Sequence, residues 1–173
     1  MPNLEKIILK KLNLRKDISK TYLNWMNDLD VHKYTEQRHF KHSLIKIRKF
    51  VREKNKSKNE FLYGIFLKKN KFKKHIGNIK LGPTNFIHKT GEISYFIGDK
   101  ELRGRGYGTL AIKEISKIAK KMGLKKIKAS IYDINIGSKK ILEKNNFKLE
   151  GKMKSEVIYK SKRFSLCLYG KIL

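Results

Sequence analysis

Cysteine is nearly absent: Cys167 is the only one, which excludes an intrachain disulfide and a thiolate metal cluster. Its place in the alternating run from Phe164 to Leu173 reads as a small strand or core residue rather than a nucleophile. Proline is scarce too, with two in 173 residues, and no Pro- or Ser-rich linker or internal repeat divides the chain. Length and organisation fit a single α/β unit, 1–173, able to bury a continuous core. No apolar run approaches the about 18 residues needed to span a bilayer, and no uninterrupted apolar signal segment opens the chain, so a soluble, cytoplasmic protein without a membrane partner is expected. The five histidines are scattered without metal-ligand spacing, and no metal is expected.

Acidic residues are also few, 15 against 43 Lys and Arg, giving a formal net charge of +28 and a pI near 10.2. Such a balance raises nucleic acid as a partner. Against that, Lys greatly outnumbers Arg and is spread along every segment with frequent Asn and Ile, which reads as compositional habit rather than a binding stripe. The runs Lys68-Lys69-Asn70-Lys71 and Lys73-Lys74 read as a solvated hairpin end. Nucleic acid is thus an unfavoured partner. The field still has a consequence: it repels polyamines and draws in anionic substrates.

What the chain does have is the stretch Glu101-Leu-Arg-Gly-Arg-Gly-Tyr-Gly108, in which Arg103, Gly106 and Gly108 fit the pattern R-x-x-G-x-G. Glycines at this spacing let backbone N–H groups converge, and a helix opening at Tyr107 adds its unpaired amides and positive dipole end. The result suits a pyrophosphate. A Walker loop is excluded because Thr109 follows Gly108 with no Lys, and Gly104, Gly106 and Gly108 miss the dinucleotide spacing. A Gly-rich turn that only caps a helix remains the alternative.

Hydrophobic periodicity places the loop. Strands are expected at Ile7 to Leu12, Phe61 to Leu67, His75 to Leu81, Glu92 to Ile97 and Lys126 to Tyr132, with two more from Phe147 and Phe164. Helices are expected from Ser19 to Asn27, after a Ser43 cap, from Tyr107 to a Gly123 stop, and from Ile136 to Lys144 capped by Asn135.

Strand, R-x-x-G-x-G loop, long helix, strand, then Asn135-Ile-Gly-Ser138 and Ile141-Leu-Glu-Lys-Asn-Asn-Phe147 resembles the GNAT superfamily of acetyl-CoA-dependent N-acetyltransferases. The match is strong from Glu92 to Gly151 and looser elsewhere. The resemblance implies an α/β (α+β) fold with a mixed, mostly antiparallel sheet of six to seven strands. About four helices flank it, and acetyl-CoA, the cosubstrate, wedges between splayed strands 4 and 5. It also implies that amides of Arg103, Gly104, Arg105, Gly106, Tyr107 and Gly108, with Thr109, bind the CoA pyrophosphate. Backbone at Phe96 and Ile97 would pair with the pantetheine arm, and the Asn135 side chain would bond farther along it.

The sequence departs from the pattern twice. Leu142 stands where many members have a Tyr that protonates the leaving thiolate, and Asn146 replaces a Gly whose backbone region Asn can share. Asn135-x-x-Ser138 resembles the branch of ribosomal-protein N-terminal acetyltransferases and their sugar-acetylating relatives. In that branch Ser138 would donate to the thiolate; its other reading is a helix N3 cap residue. Tyr22-Leu-Asn-Trp-Met-Asn-Asp28, Val31-His-Lys-Tyr34 and Thr35-Glu-Gln-Arg-His-Phe40 resemble, more loosely, bacterial acetyltransferases acting on nucleotide-linked 4-amino-4,6-dideoxy sugars of nonulosonic acid and surface-glycan pathways. Trp25 is either a substrate wall or a core anchor.

Acetyl transfer to an amine needs proximity, a base and a polarised carbonyl. Glu92 is the candidate base, or else a solvated strand-end charge. Backbone N–H groups near Phe96 or Ile97 can polarise the carbonyl, and direct attack needs no enzyme nucleophile. Arg38, His39 and His42 fall in the segment expected over the acceptor, where Arg38 could grip a diphosphate; each could equally be an exposed loop residue. The expected activity is N-acetylation of an anionic, nucleotide-linked amino sugar by a monomer or homodimer. Protein N-terminal acetylation is the alternative enzyme, and a non-catalytic CoA- or RNA-binding module the alternative class.

Overall fold

The structure, a computed structural model, describes residues 5–69 and 72–173, so Asn70 and Lys71 of the expected hairpin end lie outside the described residues. The chain runs β1 (Ile7–Lys11), α1 (Lys20–Met26), α2 (Leu29–His32), a 3-10 turn (Glu36–His39) and α3 (Leu44–Lys56). β2 (Phe61–Lys69), β3 (Phe72–Asn85) and β4 (Thr90–Ile97) follow, then a 3-10 turn (Lys100–Leu102) and α4 (Tyr107–Lys121). β5 (Lys126–Tyr132), α5 (Ile136–Lys144), β6 (Lys148–Tyr159) and β7 (Lys162–Ile172) complete it. Seven strands form one sheet in the order β1-β2-β3-β4-β5-β7-β6, and only β4–β5 is parallel. The expected mixed sheet is met, with α2 added to the expected helices.

The caps are those the sequence implies. Ser19 Oγ accepts from Tyr22 N at 3.2 Å and Ser43 Oγ from Lys46 N at 3.3 Å, each satisfying an amide that its helix leaves free. α4 turns Ala111, Ile112, Ile115 and Ala119 toward the sheet, where all four are fully buried against Ile79, Leu81 and Ile127. Complete burial of such an Ile is worth about 1.5–3 kcal/mol. The opposite sheet face carries Leu62 and Phe66, which pack with Tyr22 and Trp25 of α1 and Ile47 and Val51 of α3.

The sheet opens at one place. β4 and β5 pair only from Thr90↔Lys126 to Glu92↔Lys128, although β4 continues to Ile97 and β5 to Tyr132. β3 holds β4 as far as Gly77↔Ile97, and β7 holds β5 along its whole length. The strands therefore diverge while each stays bound on its other side, and their facing edges lack a strand partner beyond Glu92. Backbone polar groups left this way favour a ligand that can pair with them.

Candidate active site

The loop before α4 has the conformation its glycines suggest. Gly104 and Gly106 lie at φ 74° and 94°, the left-handed region costly to other residues, and Gly106 is the helix N-cap. The amides at the start of α4 have no intrahelical partners, so they and the dipole make an anion site. Arg103 does another job. Its amide donates to Lys100 O at 3.2 Å, its Nε to Ile97 O at 3.0 Å and its Nη2 to Gly98 O at 3.0 Å, with Asp28 3.7 Å away. It staples the loop to the end of β4, and Gly104 onward presents amides. Arg105 is exposed, and Tyr107 is buried in the core.

A cavity of about 410 Å³ runs from this loop into the strand gap. Phe96 and Ile97 of β4, Gly106, Gly108 and Thr109 line one side, and Asn135, Ser138 and Ile141 of α5 the other. A Cβ on Gly108 would come within 3.0 Å of Ile141 Cδ1, so this glycine brings α4 and α5 together. Asn135 Oδ1 accepts from Ser138 N at 3.2 Å, which is its cap role and leaves the amide Nδ2 to donate. Ser138 Oγ accepts from the Tyr95 hydroxyl at 3.3 Å. Burial raises the Tyr95 pKa, so its phenol keeps its proton, and Ser138 is left with its own proton to give. Leu142 is fully buried and offers no acid. Lys33, Lys140 and Lys144 also line this cavity and supply positive charge; the i, i+4 spacing of Lys140 and Lys144 was the available signal in the sequence.

A second cavity of about 490 Å³ lies under α1, the Glu36–His39 turn and the start of α3, and shares Thr35, Tyr95 and Phe96 with the first. Both cavities therefore border the free end of β4. Met26, Phe40, Phe50 and Phe96 give this second cavity an apolar wall, and Lys41, Lys46 and Lys80 bring cations to it. Glu60 already binds Lys54 and Lys80, which hold its carboxyl below the usual range. The carboxylate in this wall is Glu36, which accepts from the Tyr132 hydroxyl at 2.5 Å and lies 3.7 Å from Arg38.

Several expected roles change in this setting. Arg38 is not a free diphosphate clamp: Nη1 donates to Thr35 O and Tyr132 Oη, both at 2.8 Å, and Nη2 to Ile158 O at 2.9 Å. Its guanidinium carbon lies 5.3 Å from the Tyr132 ring centroid, and these three bonds tie the covering turn to β5 and β6. Trp25 is a core anchor, 8 % exposed and packed so closely on Gly98 that a Cβ there would meet its ring at 2.1 Å. Glu92 sits on the last β4–β5 rung, exposed opposite Lys128 and outside both cavities, one pleat before Ser94, which does line the second. That placement fits the alternative of a strand-end charge. His39 is exposed 3.8 Å from Glu36, whereas His42 lines the second cavity. His32, inside the segment Val31-His-Lys-Tyr34, was not singled out by sequence; it is 3 % exposed, lines the second cavity and stacks edge-on to Phe96.

The split sheet, the glycine loop and the two cavities set the fold beside known proteins. The profile of the Acetyltransferase (GNAT) domain family matches residues 6–148, and the chain belongs to that family. YwnH of Bacillus subtilis (strain 168), provisionally named a phosphinothricin acetyltransferase, is 33% identical over 86 residues, 50% of this chain and 52% of YwnH. The chain spans about half the length of that curated relative. Two solved structures share the fold. RimL, a ribosomal L7/L12 alpha-N-protein acetyltransferase in complex with coenzyme A, superposes with a TM-score of 0.85 at 18% identity, covering 99% of this chain and 97% of RimL. Spermidine N-acetyltransferase from Vibrio cholerae, in complex with CoA and spermine, gives 0.83 at 19% identity, covering 96% and 95%. No helix among the described residues is long and apolar enough to cross a membrane.

Proposed function

We propose that this chain transfers the acetyl group of acetyl-CoA to a primary amine on an anionic, nucleotide-linked amino sugar, in the cytoplasm of a bacterium. The observation that carries the reading is that two cavities share the wall residues Thr35, Tyr95 and Phe96, one reaching a helix-terminus amide cluster and the other walled by aromatic rings and lysines. Acetyl-CoA supplies the activated acyl group when bound. The amides from Gly104 to Thr109 would hold its pyrophosphate, the β4 edge at Phe96 and Ile97 its pantetheine arm, and Asn135 Nδ2 would donate to that arm.

The chain's own groups divide the remaining work. The β4 edge orients the thioester carbonyl, Ser138 donates a proton toward the sulfur, and Tyr95 holds the Ser138 hydroxyl in place. Lys41 and Lys46 favour an acceptor bearing phosphate, and they disfavour a polyamine despite the fold shared with the spermidine enzyme. A related fold also occurs in the microcin C7 self immunity acetyltransferase MccE, solved with acetyl-CoA and AMP, at a TM-score of 0.79 and 20% identity.

The test is thiol release from acetyl-CoA with three acceptors: a UDP-linked 4-amino-4,6-dideoxy sugar, an N-terminal peptide of a ribosomal protein, and spermidine. The nucleotide sugar is expected to give the highest kcat/KM. Turnover of the peptide alone would replace this reading with protein N-terminal acetylation.

A further inference from the structure

Five buried side-chain polar atoms lack a hydrogen-bond partner among the described residues, and three of them belong to residues lining one cavity. Among the described residues, His32 Nε2, His42 Nε2 and Asn78 Nδ2 are buried with no hydrogen-bond partner, and all three residues line the acceptor cavity. A fold does not leave such atoms unpaired cheaply; each costs about 1–3 kcal/mol unless a ligand or water satisfies it.

Thr35 Oγ1 lies 3.1 Å from the His32 carbonyl oxygen and 3.4 Å from His32 Nδ1. When the hydroxyl donates to the carbonyl it accepts from Nδ1–H, the tautomer in which Nε2 carries the lone pair. Burial, first, and the neighbouring His42 and Arg103 push the His32 pKa down to about 4, against a smaller upward pull from Asp28. Glu36, Lys41 and Lys46 also face this cavity, and Phe96 of β4 adds a flat apolar wall beside the ring. Burial thus favours the neutral imidazole at pH 7, and His32 forms part of the wall of the second cavity.

We propose that His32 is the proton acceptor for the attacking amine. This rests on the acetyl-transfer reading above and deepens it, by replacing the strand carboxylate Glu92 with an imidazole from α2. As the amine nitrogen forms its bond to the acetyl carbon, His32 Nε2 takes one N–H proton. The C–S bond breaks with its electron pair on sulfur, Ser138 or water protonates that sulfur, the imidazolium returns its proton to solvent, and Ser138, where it was the donor, regains its proton from solvent.

The experiment uses His32→Asn, which keeps a polar atom near Thr35 and removes the Nε2 position, and His32→Gln, which fills that position with an amide group that hydrogen-bonds but does not take up a proton. The assay amine is whichever of the nucleotide sugar, peptide or spermidine the wild type turns over fastest, so failure of the sugar retires the substrate assignment and leaves this test running. Both variants are expected to lose about 100-fold or more in kcat, with acetyl-CoA affinity by calorimetry unchanged. Independently of turnover, long-range 1H–15N spectra of the wild type at pH 7 should show His32 neutral and protonated on Nδ1. Retention of kcat within about threefold in both variants, or a ring found protonated on Nε2, overturns the proposal.

Discussion

The two halves of the site are built in different ways. The donor half is local: Gly104, Gly106, Gly108, Asn135 and Ser138 sit on one loop and two helix starts, and their geometry follows from backbone preferences at those positions. The acceptor half is assembled from α1, α2, a 3-10 turn, α3 and three central strands, with side chains far apart in sequence. Arg38 shows the difference, since it bonds Tyr132 and Ile158, 94 and 120 residues away. A cosubstrate common to a family can be held by a local backbone device, whereas acceptor choice depends on long-range packing that can change without disturbing it.

That contrast can be broken most severely at Gly106. With φ at 94°, Gly106→Val would force the loop out of its left-handed turn and scatter its amides. Acetyl-CoA binding should fall about 1,000-fold by calorimetry, with the sheet retained by circular dichroism; unchanged binding would show that the grip lies elsewhere.

Acid should expose the acceptor half through stability. The folded His32 pKa of about 4 lies below the ordinary value of about 6.5, so the unfolded chain takes up the proton first as pH falls. The native state then loses up to about 3 kcal/mol between pH 6.5 and 4 and loses nothing from this source above 6.5. His75, also pushed down by burial, adds to the same slope. Denaturant midpoints across this window should fall less steeply in His32→Asn than in the wild type.

Smaller effects sharpen the comparison. Arg38→Lys keeps the charge but loses the planar fork, and should cost about 2 kcal/mol of stability while raising KM for the amine and leaving that for acetyl-CoA alone. Tyr95→Phe and Ser138→Ala should each lower kcat about tenfold, and the double variant no further than the worse single one, because the two hydroxyls act through one hydrogen bond. Glu92→Gln should leave kcat within about threefold.

The same contrast explains what could be read from sequence. The family resemblance carried by Glu92 to Phe147 implied the split sheet, and the caps Ser43 and Asn135 set helix starts correctly because capping is a contact over three residues. α2 escaped notice: four residues from Leu29 to His32 give too short a pattern to show a period. The roles suggested for Arg38, Trp25 and Glu92 could not be resolved for another reason. Residue type says that an Arg can grip phosphate, but only the fold says that Tyr132, Thr35 and Ile158 already occupy it. His32 was hidden likewise, because its value lies in an unpaired nitrogen and a Thr35 contact rather than in spacing.

The central claim is that donor and acceptor cavities join at Tyr95 and Phe96. Its most direct test is the affinity of a bisubstrate conjugate, the nucleotide-linked amino sugar joined through an acetyl bridge to CoA sulfur, measured by calorimetry beside CoA alone. Joined cavities predict binding at least about 100-fold tighter than CoA, because the second half binds as an intramolecular event. An affinity no better than that of CoA would contradict the account.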